Sequence, residues 1–184
     1  DLIGKSEYLI NEKKLLDNTN YNLISAQVVG KEPGNWFHRF TIDKGMKDGI
    51  EKGDTVIQAV EINGEIVQEG VVGRVVEVGD NWAKVVSIID ENNNISFKVI
   101  RTQDGGILSG SIDGVLSGYM FDSKADIMKG DKLFSSGLGG IYVEDLYIGE
   151  IINVIKESED LAKRIEVEPA VDFKKIYKVY IILD

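Results

Sequence analysis

The chain has 184 residues, with 21 basic and 31 acidic side chains, and its formal net charge at neutral pH is −10. Hydrophobic residues make up 43% of the chain and charged residues 28%, which is typical of a globular protein and excludes disorder for the chain as a whole. The acidic balance argues against binding to nucleic acid or to an anionic lipid surface, because both favour a basic protein face. There is no cysteine, which excludes disulfides, thiolate metal sites and cysteine nucleophiles.

The first 20 residues have the apolar spacing of a helix. Apolar side chains recur every seven residues in two neighbouring columns, which are formed by Leu2, Leu9 and Leu16 and by Ile3 and Ile10. This is the period of a coiled-coil seam, although the run covers fewer than three heptads. Two interpretations stay open: these five residues form the end of a dimerising coiled coil, or the helix packs on its own domain.

From residue 21 onward the pattern predicts β structure. Short runs rich in Val, Ile, Tyr and Phe are separated by Gly, Asp and Asn, and the chain contains 20 glycines. Twelve strands at this spacing are typical of barrels or sandwiches. The predicted strands are 23–29, 37–42, 55–60, 71–78, 83–89, 95–100, 106–108, 115–121, 132–135, 147–154, 164–167 and 177–183.

Parts of the β region recur. The sequence DGIEKGDTVI at 48–57 resembles ADIMKGDKLF at 125–134. Three further pairs of segments match in the same order, namely 40–43 with 119–122, 73–78 with 149–154, and 83–86 with 162–165. This repeat predicts two similar small β-barrels in tandem, each of about 75 residues, in a chymotrypsin-like double-barrel arrangement.

The predicted domains are the helix at 1–20, a first barrel at 21–101 and a second barrel at 102–184. The last strand, 177–183, either belongs to the second barrel or returns to the first. Glycines at the repeated turns and strand starts are expected to shape the chain, since glycine adopts conformations closed to other residues. These structural glycines are Gly45, Gly49, Gly53, Gly73, Gly130, Gly137 and Gly149.

A double barrel raises the possibility of a serine protease, but the residues do not support one. His38 is the only histidine, and Ser135 and Ser136 are the candidate nucleophiles. The Gly-Asp-Ser-Gly sequence expected around such a nucleophile is absent. One histidine and no cysteine also leave only carboxylates as metal ligands. We therefore expect no enzymatic activity, no cofactor and no metal site, with a degenerate β-barrel hydrolase as the less favoured alternative.

Several segments of the β region form a joint pattern. They are Asn35-Trp36-Phe37 after Gly30, Ile42-Asp43-Lys44-Gly45, Asp48-Gly49-Ile50 with Lys52-Gly53, the run from Gly70 to Val78, Ser136-Gly137-Leu138-Gly139-Gly140-Ile141, Ile148-Gly149 with Ile151, and the run from Val167 to Phe173. The pattern covers nearly all of the β region, from residue 26 to the C-terminus. Taken in order, these segments resemble the rod shape-determining protein MreC family.

The resemblance implies a non-catalytic scaffold of the peptidoglycan-synthesis machinery that elongates the cell. It implies a single-pass membrane protein, anchored by a span upstream of Asp1, with two barrels outside the cytoplasm. Implied partners are a second copy of the chain, MreD, MreB and a class B penicillin-binding transpeptidase. Leu2, Ile3, Leu9, Ile10 and Leu16 would then form the dimer helix.

Surface contacts with partners are expected at two places near the end of the second barrel. The apolar residues concerned are Leu138, Ile141 and Tyr142 in a loop and Tyr147 at a strand start, and the alternative is that they close the barrel. A further alternative for the whole chain is a secreted peptidoglycan- or carbohydrate-binding module, in which Trp36, Trp82 and Tyr119 stack on sugars.

Overall fold

A computed structural model of the chain describes residues 2–64, 66–156 and 162–184, with side chains at all of these except 2–8, 66 and 67. Helix α1 (Leu2–Asn18) precedes twelve strands in this part of the chain, and a short 3₁₀ turn (Met46–Asp48) precedes the third. The mainly β architecture predicted from the sequence is confirmed. The strands are β1 (Asn22–Lys31), β2 (Arg39–Ile42), β3 (Thr55–Ile62), β4 (Ile66–Val78), β5 (Ala83–Ser87), β6 (Asn94–Val99), β7 (Gly105–Ser109), β8 (Leu116–Met120), β9 (Lys132–Ser135), β10 (Tyr147–Lys156), β11 (Lys163–Pro169) and β12 (Lys178–Leu183).

Six strands form a closed barrel, which we call the first ring. Their order is β4-β3-β12-β1-β2-β5, and pairing of β5 with β4 closes it. All neighbouring strands in this ring are antiparallel. Closure removes the free strand edges that an open sheet would present to other chains. The last strand, β12, lies between β1 and β3 and so returns to the first ring.

The other six strands pair in a second ring. Their order is β11-β8-β7-β6-β9-β10, and β10 also pairs with β11. A single parallel contact between Tyr147 and Gly70 joins β10 to β4 across the two rings. The pairing of β6 with β7 and β9 places this strand in the second ring, although the predicted division at residue 101 assigned it to the first.

The two rings have the same pattern of pairings. The hairpin of β1 and β2 corresponds to that of β7 and β8, β3 and β4 correspond to β9 and β10, and β5 corresponds to β11. A β-bulge recurs at the same point, between Val75 and Glu77 in the first ring and between Ile151 and Asn153 in the second. Strand order and this bulge therefore agree between the rings.

The Lys-Gly-Asp turn has the same geometry in both rings. Gly53 and Gly130 adopt φ angles of 99° and 96°, a region that glycine occupies without steric cost. The Gly53 N–H donates a hydrogen bond of 2.8 Å to the Val75 carbonyl of β4, and the Gly130 N–H donates one of 2.8 Å to the Ile151 carbonyl of β10. The next residue, Asp54 or Asp131, accepts a hydrogen bond from the backbone N–H three residues earlier, at 2.8 and 2.9 Å. The turn is thus fixed by local chemistry.

Two of the four predicted repeat matches are displaced by three residues. In the hydrogen-bond register, Ile165 rather than Ala162 takes the place of Ala83, just beyond the bulge. Leu116 rather than Tyr119 takes the place of Phe40. Apolar strand sequences match in several registers, whereas the backbone pairing permits only one. The other two matches agree with the pairing. They are 48–57 with 125–134 at the turn, and 73–78 with 149–154 in β4 and β10.

Close strand crossings explain two of the predicted glycines. A Cβ atom at Gly73 would lie 2.0 Å from the carbonyl oxygen of Val86, and one at Gly149 would lie 2.1 Å from that of Glu168. No side chain fits at either position without movement of the neighbouring strand. The remaining glycines predicted to shape turns, Gly45, Gly49 and Gly137, lie in connections between strands.

The interior of both rings forms one continuous apolar core. Phe97 and Phe173 are its largest fully buried side chains, and burial of each contributes about 1.5–3 kcal/mol. Phe173 lies in the connection from β11 to β12, so this segment also contributes to the core.

Helix α1 packs on the first ring through few side chains. Leu15 is buried, the Glu12 carboxylate accepts a hydrogen bond from the Lys178 ammonium, and the Asn11 amide donates to Glu61 at 2.6 Å. Within the described residues, none of the helices has the length and the apolar content that a membrane crossing requires.

Candidate interaction surfaces

The outer side of helix α1 carries an apolar stripe. Leu9, Ile10 and Leu16 are 53%, 55% and 47% exposed, whereas the neighbouring Leu15 is buried against the first ring. The helix therefore uses one side to pack on its own domain and presents three of the predicted dimerisation residues to solvent. The side chains of the other two, Leu2 and Ile3, lie outside the described residues.

The connection between β9 and β10, residues 136–146, forms a folded loop that we call the strut loop. Its base is held by the buried Ser135 hydroxyl, which donates to the Val143 carbonyl at 2.7 Å and accepts from the Leu146 N–H at 2.9 Å. Next to this base, the Lys98 ammonium contacts the Asp145 carboxylate at 2.5 Å. These contacts fix the loop on the second ring.

The predicted partner-binding residues of this region divide into two groups. Leu138 and Ile141 are exposed at the tip of the strut loop. Tyr142 and Tyr147 are buried instead, so the prediction that they contact a partner from the surface is wrong. The Tyr142 hydroxyl donates to the Asn93 side chain at 2.7 Å, and the Tyr147 ring packs on Phe134 with 5.1 Å between centroids. Long-range packing that the local sequence does not encode explains the difference.

The outer face of the second ring carries an apolar patch that the sequence analysis did not single out, which we call the apolar wall. Ile107 and Tyr119 pair across β7 and β8, Phe121 extends the same face of β8 beside Gly105, and all three side chains are exposed. The register places Gln27 and Asp43, two polar residues, at the corresponding positions of the first ring. The fold therefore does not require apolar residues here. In the structure, the exposed Ile107 alternates along β7 with the buried Gly106 and Leu108.

The two tryptophans are engaged in packing. Trp36 lies against Gly114, where an added Cβ would come within 2.5 Å of its ring, and the Lys174 ammonium lies 4.7 Å from the ring centroid. Trp82 packs its ring on Gly79. Stacking of a sugar on Trp36 would require Lys174 to move away, which weakens the carbohydrate-binding alternative.

The candidate hydrolase residues are not assembled for catalysis. The Ser135 hydroxyl is buried and used by the two backbone hydrogen bonds of the strut loop. The Ser136 hydroxyl accepts a hydrogen bond from the Leu138 N–H. In the described part of the chain, the His38 ring forms no hydrogen bond with either serine, and its backbone carbonyl accepts from Ser87 at 2.8 Å.

The paired aspartates of the repeated turn have opposite electrostatic environments. Arg101 donates two hydrogen bonds to Asp131, of 2.7 and 2.9 Å, and this contact holds the pKa of the Asp131 carboxyl below its usual value. Burial raises the pKa of the Asp54 carboxyl, and the carboxylates of Asp184 and Glu51 raise it further.

Three carboxylates of the first ring lie close together. Glu51, Asp54 and Asp184 each place one oxygen within 4.8 Å of the others. We assign no metal to this group, because two of its members are exposed and the third already accepts a backbone hydrogen bond.

Solved structures share this fold. A structure named MreC matches with a TM-score of 0.87 and 24% identity over 99% of both chains. The crystal structure of MreC from Pseudomonas aeruginosa matches with a TM-score of 0.77 and 26% identity, over 88% of this chain and 99% of that one. A complex between the penicillin-binding protein PBP2 and MreC from Helicobacter pylori matches with a TM-score of 0.61 and 14% identity, over 89% of this chain and 100% of that one.

The sequence comparisons agree with the structural ones. The cell shape-determining protein MreC of Bacillus subtilis is 26% identical over 179 residues, which cover 89% of this chain and 57% of that protein. The chain thus spans little more than half the length of this relative. The family model of the rod shape-determining protein MreC, barrel core, matches residues 28–183. The chain therefore belongs to the rod shape-determining protein MreC family.

Proposed function

We propose that this protein is a non-enzymatic scaffold of the machinery that synthesises peptidoglycan during cell elongation, and that it acts by binding other proteins. The family match over residues 28–183 carries this proposal. It is supported by the outer stripe of α1 and the apolar wall, which leave apolar side chains exposed, a feature typical of interaction sites. The commitment of the Ser135 hydroxyl to the backbone supports a role without catalysis.

Self-association through α1 is the first part of the proposal. Leu9, Ile10 and Leu16 are each about half exposed, so burial of the remainder contributes about 1 kcal/mol per side chain and about 6 kcal/mol for two helices. Association costs at least about 4 kcal/mol in lost freedom of motion. The described part of the seam therefore supports a weak dimer, and a tight one requires further heptads.

Sedimentation equilibrium of the 184-residue chain tests this seam. We expect only weak, concentration-dependent dimerisation, with a dissociation constant of roughly tens of millimolar for a net gain of about 2 kcal/mol, which the double variant Leu9→Ser, Leu16→Ser abolishes. Lys14→Ser is the matched control, because this lysine is exposed on the same helix but lies about 140° around it from Leu9. Dimerisation that is as strong in the leucine variant as in the lysine control would contradict the proposed seam.

Binding of a class B penicillin-binding transpeptidase is the second part, and we place it on the apolar wall. It is supported by the complex of PBP2 with MreC from Helicobacter pylori, whose fold this chain shares. It is also supported by the exposed aromatic rings of Tyr119 and Phe121, since aromatic residues often dominate binding energy at interfaces. The exposed tip of the strut loop, Leu138 and Ile141, is a second proposed contact.

A binding titration with the extracytoplasmic domain of the transpeptidase from the same cell tests this placement. Tyr119→Ser with Phe121→Ser is expected to weaken binding at least tenfold, a loss of about 1.4 kcal/mol or more. Gln27→Ser, at the exposed first-ring position that corresponds to Ile107 of the wall, is the control. Equal affinity of the wall variant and the control would refute this placement of the site, and absence of binding by the unaltered chain would count against the partner.

We also propose that a segment upstream of Asp1 crosses the membrane once, that both rings lie outside the cytoplasm, and that MreD and MreB belong to the same assembly. The 184 residues contain no cysteine, so a Lys84→Cys change in the longer native protein, with any cysteine outside these residues replaced, creates a unique thiol. Labelling of intact cells by an impermeant maleimide is expected. Labelling only after lysis would place the rings in the cytoplasm and contradict the proposal.

We further propose that the rings are two barrel domains derived from one duplicated unit. The first contains residues 22–87 and 178–183, and the second contains residues 94–169. Agreement of the strand pairings and of the bulge supports this division. Limited proteolysis is expected to cut the connections between the rings at their exposed residues, Glu91–Asn92 and Lys174–Lys175, before it cuts within a strand, and rapid cleavage within a strand would argue against this division.

A further inference from the structure

The strut loop differs in conformation from its counterpart in the first ring. There, β3 and β4 stay paired as an extended hairpin out to Ile62 and Ile66. In the second ring the pairing of β9 with β10 ends at Phe134 and Tyr147, and a stretch of similar length folds into the strut loop instead. Because one ring closes with an extended hairpin at this position, barrel closure does not require the conformation of the strut loop.

The later part of the strut loop also contacts the first ring. The Val143 N–H donates to the Thr55 hydroxyl, at the start of β3, at 3.3 Å. A cavity of about 410 Å³ lies between the two sides, lined by residues 140–143 of the loop and by Glu51–Thr55 and Ile182 of the first ring. Val143 is thus bonded to both rings, to Ser135 through its carbonyl and to Thr55 through its N–H.

Tyr142 is the principal side chain of this contact. It is 6% exposed, and its hydroxyl donates at 2.7 Å to the Asn93 side chain, which lies in the connection between the rings. The same Asn93 oxygen accepts a hydrogen bond of 3.4 Å from Arg74 of β4. One amide therefore joins the loop of the second ring to a strand of the first. Leaving such a buried polar group unpaired costs stability.

We infer that the strut loop fixes the angle between the two rings, with Tyr142 as the residue that locks it. The loop is held on the second ring by Ser135 and the Lys98–Asp145 ion pair, and on the first ring by Val143 and, through Asn93, by Tyr142. Other contacts between the two sides include the parallel pair of Tyr147 with Gly70, the packing of Trp36 on Gly114, and a hydrogen bond of 3.4 Å from the Tyr21 hydroxyl to the Glu144 carbonyl of the loop. Loss of the lock therefore widens the range of angles and does not separate the rings.

The consequence concerns how the protein presents its surfaces. Helix α1 is carried by the first ring and the apolar wall by the second. A fixed angle holds these two surfaces at a constant spacing and orientation. This inference rests on contacts within the chain and does not depend on which partners bind there.

Double electron–electron resonance between two spin labels measures the distance between the rings, which changes with the angle between them. The chain has no native cysteine, so each label attaches only at an introduced cysteine. Labels at Lys84→Cys in the first ring and Ile107→Cys in the second report the distance between the rings. Labels at Lys52→Cys and Lys84→Cys, both in the first ring, are the control. We expect a narrow distance distribution between the rings in the unaltered protein and a broader or shifted one in Tyr142→Ala, with the control distribution unchanged.

Two milder variants separate the lock from general loss of structure. Tyr142→Phe keeps the ring and removes the hydroxyl, and Asn93→Ala removes its acceptor. Both are expected to broaden the distribution by a similar, smaller amount, and the double variant should add nothing to either. Unchanged distributions between the rings in Tyr142→Ala with a native circular dichroism spectrum would overturn the inference. If Tyr142→Ala does not fold, unchanged distributions in the two milder variants would overturn it equally.

Discussion

Replacement of Gly73 by alanine tests the close packing of β4 against β5 at this glycine. The added Cβ would lie 2.0 Å from the Val86 carbonyl oxygen and 2.8 Å from the Ser87 Cα. Ordinary contact begins near 3.4 Å, so the paired strands must separate locally by about 1.4 Å. Because these atoms belong to hydrogen-bonded backbone and not to a flexible side chain, the strain cannot be relieved by a change of rotamer.

The expected cost is about 1–3 kcal/mol, the usual range for overpacking a filled interior. For a chain of this length, each kcal/mol lowers the melting temperature by about 2–4 °C. Gly73→Ala should therefore melt about 2–12 °C below the unaltered protein in differential scanning calorimetry. Gly149→Ala should show a similar loss, because its Cβ would lie 2.1 Å from the Glu168 carbonyl oxygen.

Gly30→Ala is the matched control. This glycine also lies in a strand, but an added Cβ would meet nothing within 4 Å, and alanine in a strand is slightly better than glycine. We expect no loss of stability in this variant. Equal melting temperatures for Gly73→Ala and Gly30→Ala would refute the argument that close approach, and not strand propensity, requires glycine at the bend.

Three further predictions concern single polar groups. Asp131→Asn should lower the free energy of unfolding at pH 7, measured by urea denaturation. The difference from the unaltered protein should shrink as the pH falls below about 4, since the lowered pKa of Asp131 provides stability that is lost on protonation. Asp54→Asn should lose less free energy of unfolding at pH 7, because the pKa of Asp54 is raised, and equal losses in the two variants would contradict this. Burial raises the pKa of Tyr142 to about 12, so the stability that this residue provides should fall as the pH rises above about 10. The difference in free energy of unfolding between the unaltered protein and Tyr142→Phe should narrow between pH 9 and pH 11, and a constant difference would count against this. Ser135→Ala should cost about 1–3 kcal/mol, because it leaves the buried Leu146 N–H unpaired, and an unchanged urea midpoint would exclude that role.

Local chemistry could be predicted from the sequence, and pairing over long distances could not. The Lys-Gly-Asp turns were predictable because Gly53 and Asp54 determine their own conformation within a few residues. The matches of Ala83 with Ala162 and of Phe40 with Tyr119 were each wrong by three residues. Register depends on hydrogen bonds to strands far away in the sequence, and alternating apolar residues fit several registers.

The surfaces show the same limit. An apolar residue in a loop has the same appearance in the sequence whether it is exposed, as Ile141 is, or buried, as Tyr142 is. The difference arises because Asn93, 49 residues away, meets the tyrosine hydroxyl. On the helix, Leu15 and Leu16 are neighbours with opposite environments, and only the position of the first ring decides which of them is covered.

The place of β12 has a consequence for protein synthesis. This strand follows all the other strands along the chain, yet it lies between β1 and β3, which emerge from the ribosome early. The strands of the second ring come from one uninterrupted stretch of the chain, so this ring can fold before β12 is available to pair with β1 and β3. A ribosome that stops a few codons short of β12 would therefore release a molecule with two unprotected edges in its N-terminal half, ready to pair with other nascent chains.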